Sequence, residues 1–168
     1  MQLSGKTCFA VACLALAAVR AGAAAADWQL APDGFGPLKV GMSFAQARKL
    51  APRLVVTRDG QFDGSCKQFP LPGHPGVELM FVDGVLGRID LFEPGPRTTR
   101  GVTPGDPVGR ALRAYPGLST APRAYEENER YLTSRSGANA IRFETKNGRI
   151  ENVYAGRWDQ VQYIEGCL

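Results

Sequence analysis

Nucleophilic catalysis in this chain would have to use one imidazole, because His74 is its only histidine. It lies between glycine and proline in the segment PLPGHPGVE. A serine or cysteine nucleophile needs a neighbouring base, and no serine stands in the Gly-x-Ser-x-Gly pattern of a nucleophile elbow. The simpler interpretation is an exposed loop histidine. The sequence therefore predicts no catalytic residues and a protein that is not an enzyme.

Metal binding would need ligands at a characteristic spacing. The segment RDGQFDGS puts Asp59, Gln61, Asp63 and Gly64 at the first, third, fifth and sixth positions of a calcium-loop pattern. The twelfth position is Pro70, where the pattern requires a bidentate glutamate. We interpret the segment as a turn or hairpin tip, and one histidine is too few for a typical zinc site. No metal or cofactor is predicted.

Clustered carboxylates occur in the segment YEENERY, which contains Glu126, Glu127 and Glu129. Two carboxylates divide the roles of acid and base only when burial or a neighbouring group separates their pKa values. Nothing strongly apolar surrounds these three. We therefore expect a solvated acidic loop rather than a glycosidase site.

The first 26 residues have the layout of a secretory signal. Lys6 precedes an apolar run from Thr7 to Val19, and small residues follow up to Ala26. The apolar run is too short for a membrane anchor, which needs about 20 residues. We expect cleavage before Asp27, a periplasmic or secreted protein, and no membrane span after cleavage.

The charge of the chain argues against nucleic-acid binding. The chain has 20 Lys and Arg against 16 Asp and Glu, a net charge of +4. Loss of Lys6 and Arg20 with the signal lowers this to +2. Basic and acidic residues are also interspersed, so the sequence offers no basic patch for a phosphate backbone.

Two of the four cysteines also leave with the signal, so Cys66 and Cys167 remain. An even pair in an exported chain predicts a disulfide. The alternative is a pair of free thiols or a redox site, but the sequence contains no Cys-x-x-Cys motif. We predict that a Cys66–Cys167 bridge fastens the C-terminal strand to an early loop.

An internal repeat organises the rest of the sequence. The helical segments VGMSFAQARKLAP and PGDPVGRALRAYP, and two hairpins that turn at Asp83-Gly84 and Asn147-Gly148, recur at an offset of 64 residues. The predicted fold is α+β, with two tandem units that each pack a short helix on a small antiparallel sheet. The predicted boundaries are 27–93 for the first unit, 94–100 for a connector and 101–168 for the second unit.

Several motifs carry a family resemblance: the opening LKVGMSFAQA, the later GVTPGD and the terminal EGC. They resemble a group of small exported bacterial proteins, mostly uncharacterised and some labelled lectins. The duplicated unit is similar to the tandem architecture of the secreted β-lactamase inhibitor protein and to the single-unit outer-membrane assembly lipoproteins. The resemblance implies an α+β fold and a binding role. Neither specific function carries over, because the chain lacks the lipidated cysteine of the lipoproteins and the additional disulfide of the inhibitor.

The two hairpins differ in their predicted faces. Regular pairing puts Tyr154 on the core side of the second hairpin, with charged residues on the other side. The equivalent wet side of the first hairpin carries an apolar stripe that includes Met80, Val82, Val85 and Ile89. An exposed stripe would bind a partner. The alternatives are a strand covered on both faces, or a bulge at Gly87 that changes the register.

Aromatic residues near the C-terminus are further candidates for partner binding. Tyr154, Trp158 and Tyr163 combine apolar rings with polar groups, which suits both protein interfaces and stacking on sugar rings. Ordinary packing of a terminal strand is the alternative.

The prediction for function is an exported, non-enzymatic binding protein that acts as an inhibitor, adaptor or assembly factor. Its partner would be a protein of the cell envelope or extracellular space. The alternative is a lectin-like protein that binds a glycan, and a small hydrolase ranks third.

Overall fold

The computed structural model describes residues 27–54 and 65–167. The predicted signal peptide and the segment resembling a calcium loop lie outside the described residues, apart from Pro70 at its twelfth position. The described residues form helices α1 (Phe44–Leu50) and α2 (Val108–Ala114) and a 3-10 helix at Gln160–Gln162. The strands are β1 (Gln29–Ala31), β2 (Gly34–Phe35), β3 (Leu38–Lys39), β4 (Cys66–Pro70), β5 (Val77–Val82), β6 (Val85–Leu91), β7 (Arg97–Thr98), β8 (Ser119–Arg123), β9 (Glu126–Ser136), β10 (Asn139–Lys146) and β11 (Arg149–Arg157).

Two sheets contain all of these strands. The larger is antiparallel, with the order β4-β5-β6-β11-β10-β9-β8, and the smaller has the order β3-β2-β1-β7. Strands β6 and β11 pair at the centre of the large sheet, where Leu91 lies opposite Val153. The chain on both sides of the predicted connector therefore contributes to one continuous sheet.

The predicted α+β class, with a helix packed on a separate sheet in each unit, is wrong: the described chain is mainly β. Each helix has only seven residues and so spans about 10 Å, which is too short to cover a sheet. Pairing of β6 with β11 also leaves neither hairpin with a free inner edge, which would expose unpaired backbone groups. The connector is not a plain linker either, because β7 within it pairs with β1. The unit boundaries stay a prediction.

The 64-residue offset is nevertheless visible in the backbone. The N–H of Gly41 donates to the carbonyl of Leu86 at 2.8 Å, and the N–H of Gly105 donates to the carbonyl of Ile150 at 2.7 Å. Both predicted two-residue turns are confirmed, and all four of their residues have positive φ, as a type I′ turn requires. The predicted cap of α1 is also confirmed, since Ser43 and Gln46 form a reciprocal capping box.

Each hairpin also contains a bulge. The pairing of β5 with β6 shifts after Met80 and leaves Gly87 without an opposite residue. The pairing of β10 with β11 shifts after Glu144 and leaves Glu151 in the same situation. A bulge moves every later side chain of its strand to the other face. The alternative of a Gly87 bulge is therefore confirmed, and the placement of Tyr154 on the core side is wrong.

The main core lies between the large sheet, the small sheet and the two helices. The face of the large sheet that lines this core is called the inner face, and the opposite one the outer face. Inner-face residues of the central hairpins include Leu79, Phe81, Leu86, Ile89, Leu91, Ile141, Phe143, Ile150 and Val153. The outer face is polar, and residues 158–167, called the tail, cover part of it. Among the described residues, no helix is long and apolar enough to cross a membrane.

Candidate functional site

The tail is held against the outer face by a disulfide. Cys66 and Cys167 are bonded, with their Cα atoms 5.2 Å apart, which confirms the predicted bridge. The backbone N–H of Cys167 also donates to the side-chain oxygen of Gln68 on β4 at 3.3 Å. The tail is therefore anchored to the edge strand of the first half of the sheet.

The bulge in the first hairpin seats the tail closely. The side chain of Gln160 lies over Gly87, where a Cβ atom would collide with its oxygen. Nη1 of Arg88 donates to the carbonyl of Gln160 at 3.2 Å and to that of Tyr163 at 2.9 Å. Glycine at position 87 thus permits an approach that these two hydrogen bonds maintain.

A buried ion pair lies beneath the tail. Nε of Arg88 donates to Oδ1 of Asp90 at 2.8 Å, and Nη2 donates to Oδ2 at 2.9 Å. Gln68 adds a third hydrogen bond, to Oδ2 at 3.0 Å. Burial raises the pKa of Asp90, Arg88 opposes this effect, and the charges of Glu78 and Glu144 reinforce it. The bidentate geometry compensates for the desolvation of both charges.

The second hairpin contributes a carboxylate that is also enclosed by donors. The hydroxyl of Tyr154 donates to Oε1 of Glu144 at 2.8 Å, and Asn152 donates to Oε2 at 2.7 Å. Arg123 lies 3.2 Å from the same Oε2. Burial and the charge of Glu144 raise the pKa of Tyr154, so its hydroxyl stays protonated and donating at neutral pH.

These groups form the walls of a cavity of about 190 Å³, called the acidic pocket. Its lining includes four carboxylates and a single guanidinium, that of Arg88. Phe92 and Ile164 add apolar surface, and both are exposed, by 40% and 50%. The pocket is therefore polar at its base and partly apolar in its walls. The four carboxylates belong to Glu78, Asp90, Glu144 and Glu165.

An open depression of about 620 Å³, called the aromatic groove, borders the same part of the tail. It is lined by Tyr125, which is 82% exposed, and by Tyr163, which is 40% exposed. Glu165 raises the pKa of Tyr125 through its charge and a hydrogen bond. Ile164 and Glu165 line both the groove and the acidic pocket, so the two depressions form a continuous surface.

The predicted apolar stripe is not an exposed surface. Met80 and Ile89 are fully buried, and the bulge places them on opposite faces of the sheet. Val82 is half-buried in the wall of the aromatic groove. Val85 is half-buried at the start of β6, where its backbone pairs with that of Ser43.

The predicted aromatic candidates do lie near the tail. Tyr154 forms part of the acidic pocket, and Tyr163 lines the aromatic groove. Trp158 is half-buried and packs against Val161, while the guanidinium of Arg135 lies 4.5 Å from its ring centroid. Only two of the three aromatic candidates thus line the continuous surface.

Sequence reasoning missed Arg88, Asp90 and Glu165. The first two gave a usable signal, because two charges alternate with apolar residues in the strand VLGRIDL. Such a pattern on a predicted central strand indicates a buried ion pair on the face opposite the core. Glu165 gave no signal, since its position depends on how the tail folds back.

Other residues considered for chemistry have structural partners. His74 is not simply an exposed loop residue: its ring centroid lies 4.1 Å from that of Trp28, and burial lowers its pKa. Glu129 accepts hydrogen bonds from the hydroxyl of Thr145 and the N–H of Asn147, each at 2.7 Å, and both lower its pKa. Within residues 27–54 and 65–167, no three His, Cys, Asp or Glu side chains are grouped to hold a metal ion.

The architecture and this surface were set beside known proteins in three ways. The family resemblance stays a prediction, and the surface of the chain itself has to support any statement about function. Comparison with protein-family models, with curated proteins and with solved structures found no match.

Proposed function

We propose that this chain is an exported, non-enzymatic binding protein whose partner is another protein of the cell envelope or extracellular space. The signal-like first 26 residues support export. The Cys66–Cys167 bridge also supports it, because disulfides persist mainly outside the cytoplasm. The bound partner would be inhibited, assembled or recruited through the tail surface.

One observation carries the proposal: exposed apolar side chains gather around the tail. Phe92, Tyr125, Tyr163 and Ile164 are all at least 40% exposed, and all line the acidic pocket or the aromatic groove. Clustered exposed aromatic and apolar residues with polar neighbours are typical of protein interfaces. The disulfide restrains the tail, which reduces the entropy lost on binding.

A glycan is the second candidate partner. Tyr125 and Tyr163 line the same open groove, and tyrosine rings stack on the apolar faces of sugars. The surrounding carboxylates would accept hydrogen bonds from hydroxyl groups.

The test is site-specific photo-crosslinking in the cells that natively produce the chain. A benzophenone amino acid would replace Tyr125 in the groove, and in a matched control it would replace Leu112, which is 49% exposed on α2. We expect a discrete protein adduct from position 125 and none from position 112. Equal adducts from both positions would contradict the proposal. A purified chain that binds a glycan array and gives no adduct at position 125 would favour the glycan.

A further inference from the structure

The hydrogen-bond donors of the acidic pocket are already engaged. Each of the three guanidinium nitrogens of Arg88 donates, to Asp90 or to a carbonyl of the tail. The hydroxyl of Tyr154 donates to Glu144. An anionic or acceptor-rich ligand would therefore find few donors in this pocket.

The negative charges of the pocket are only partly compensated. Asp90 is paired with Arg88, and Glu144 with Arg123. Within the described part of the chain, Glu78 and Glu165 have no cationic partner at ion-pair distance. Glu78 belongs to β5 and Glu165 to the tail, so the uncompensated charges come from both walls.

The pocket also has room and apolar surface for a long side chain. A cavity of about 190 Å³ would accept a side-chain end group, and Phe92 and Ile164 offer contacts to an aliphatic stem. Arginine combines such a stem with a planar head of five N–H donors that matches carboxylates. The excess of carboxylates is thus complementary in charge and hydrogen bonding to this one side chain.

We infer that the acidic pocket binds an arginine side chain presented by the protein partner, with its guanidinium between Glu78 and Glu165. This inference rests on the proposed function and narrows it to a partner with a basic and apolar contact segment. Neighbouring apolar residues of that segment lie against Tyr125 and Tyr163 in the aromatic groove.

The direct test uses the purified, oxidised chain and the probe N-acetyl-arginine methylamide. Its neutral isostere, N-acetyl-citrulline methylamide, is the matched ligand, because it keeps the shape and removes the charge. We expect saturable amide shifts in two-dimensional NMR at the residues of the acidic pocket, with citrulline bound at least tenfold more weakly. Equal binding of the two probes, or shifts away from the pocket, would overturn the inference.

Substitutions locate the site. Glu78→Gln and Glu165→Gln should each weaken arginine binding about threefold, and the double variant about tenfold. The exposed Glu127 on β9 provides the control, since Glu127→Gln should leave the affinity unchanged. If Glu78→Gln unfolds the chain, the exposed Glu165 and the citrulline comparison still decide the result. Unchanged affinity in Glu165→Gln would contradict the inference.

The two proposals fail separately. A protein adduct at position 125 together with equal binding of arginine and citrulline would keep the proposed function and remove the arginine site. Selective arginine binding that Glu165→Gln weakens would keep the site, even if no protein adduct forms at position 125. Binding of a glycan that competes with arginine for the pocket would overturn the inference.

Discussion

The hairpins β5–β6 and β10–β11 have nearly the same backbone and different surfaces. Their turns, their bulges and their hydrogen bonds to the segment before each helix all recur at an offset of 64 residues. Their outer faces do not match, because equivalent positions carry different side chains. The equivalent outer-face pairs are Glu78 and Arg142, Met80 and Glu144, Arg88 and Asn152, and Asp90 and Tyr154.

This difference shows how one backbone plan supports a site that neither hairpin forms alone. Pairing of β6 with β11 sets Asp90 opposite Tyr154 in the register. The ion pair of the first hairpin thereby meets the hydroxyl and carboxylate of the second. The acidic pocket is a property of the junction between the two hairpins.

The two bulges show the same division. Gly87 lies under Gln160 of the tail, whereas the equivalent Glu151 pairs with Arg123 and Lys146. A glycine is needed only where another part of the chain covers the bulge.

The largest effect is expected from Arg88→Met in the first hairpin. It leaves Asp90 buried without its cation, which should lower the free energy of unfolding by about 3–5 kcal/mol. At the equivalent position, Asn152→Ala removes one hydrogen bond and should cost about 1 kcal/mol. Urea denaturation compares the two. The interpretation fails if the two losses are equal, and the double variant Arg88→Met/Asp90→Leu should recover part of the stability.

Loss of the disulfide should have the next largest effect. The double variant Cys66→Ala/Cys167→Ala should lower the free energy of unfolding by about 2–4 kcal/mol. Because the tail covers only the bulge of the first hairpin, hydrogen exchange should accelerate at Arg88 and stay slow at Asn152. Equal acceleration at both amides would show that the bridge stabilises the whole sheet rather than the tail.

Gly156→Ala tests the junction between the hairpins. A Cβ at position 156 would collide with the carbonyl of Gly87 and would lie 2.7 Å from Cα of Arg88. We expect a loss of about 1–3 kcal/mol from overpacking. Phe92 holds the equivalent position of the first hairpin and is exposed, so Phe92→Ala should cost less than about 1 kcal/mol. Thermal denaturation that ranks the two variants in the opposite order would contradict this account.

The smallest expected effect is a pH dependence confined to the first half. The pKa of His74 is lowered from its ordinary value of 6.5 by burial. The unfolded chain therefore takes up a proton first, and the free energy of unfolding should fall as the pH drops through about 6.5, then level off. His74→Asn should reduce this slope. The equivalent residue is the exposed Ala138, and Ala138→His should add no slope; an equal slope there would dissociate the effect from burial.

Local features of the fold could be predicted from the sequence, and long-range ones could not. The glycine turns and the cap at Ser43 depend on neighbouring residues, and the Cys66–Cys167 bridge followed from having one pair left. The α+β class failed because pairing of β6 with β11 joins segments far apart in the chain. The bulge at Glu151 carries no glycine or proline to mark it, so Tyr154 was assigned to the wrong face.

The candidate site was harder to predict than the fold. Tyr154 and Tyr163 were identified as aromatic residues, but their connection to Arg88 and Asp90 depends on the position of the tail. Met80 and Ile89 were misleading because apolar residues on a central strand are buried whichever face they occupy. His74 was placed in an exposed loop because its contact with Trp28 joins distant residues.

The long separation of the bridged cysteines has a consequence for biosynthesis. Cys167 follows Cys66 by 101 residues, and the tail that it fastens supplies one wall of the acidic pocket. A nascent chain therefore lacks the pocket until residue 167 has been added and an oxidising compartment has been reached. The binding surface matures with translocation, so a copy retained in a reducing cytoplasm would lack the bridge that fastens this wall.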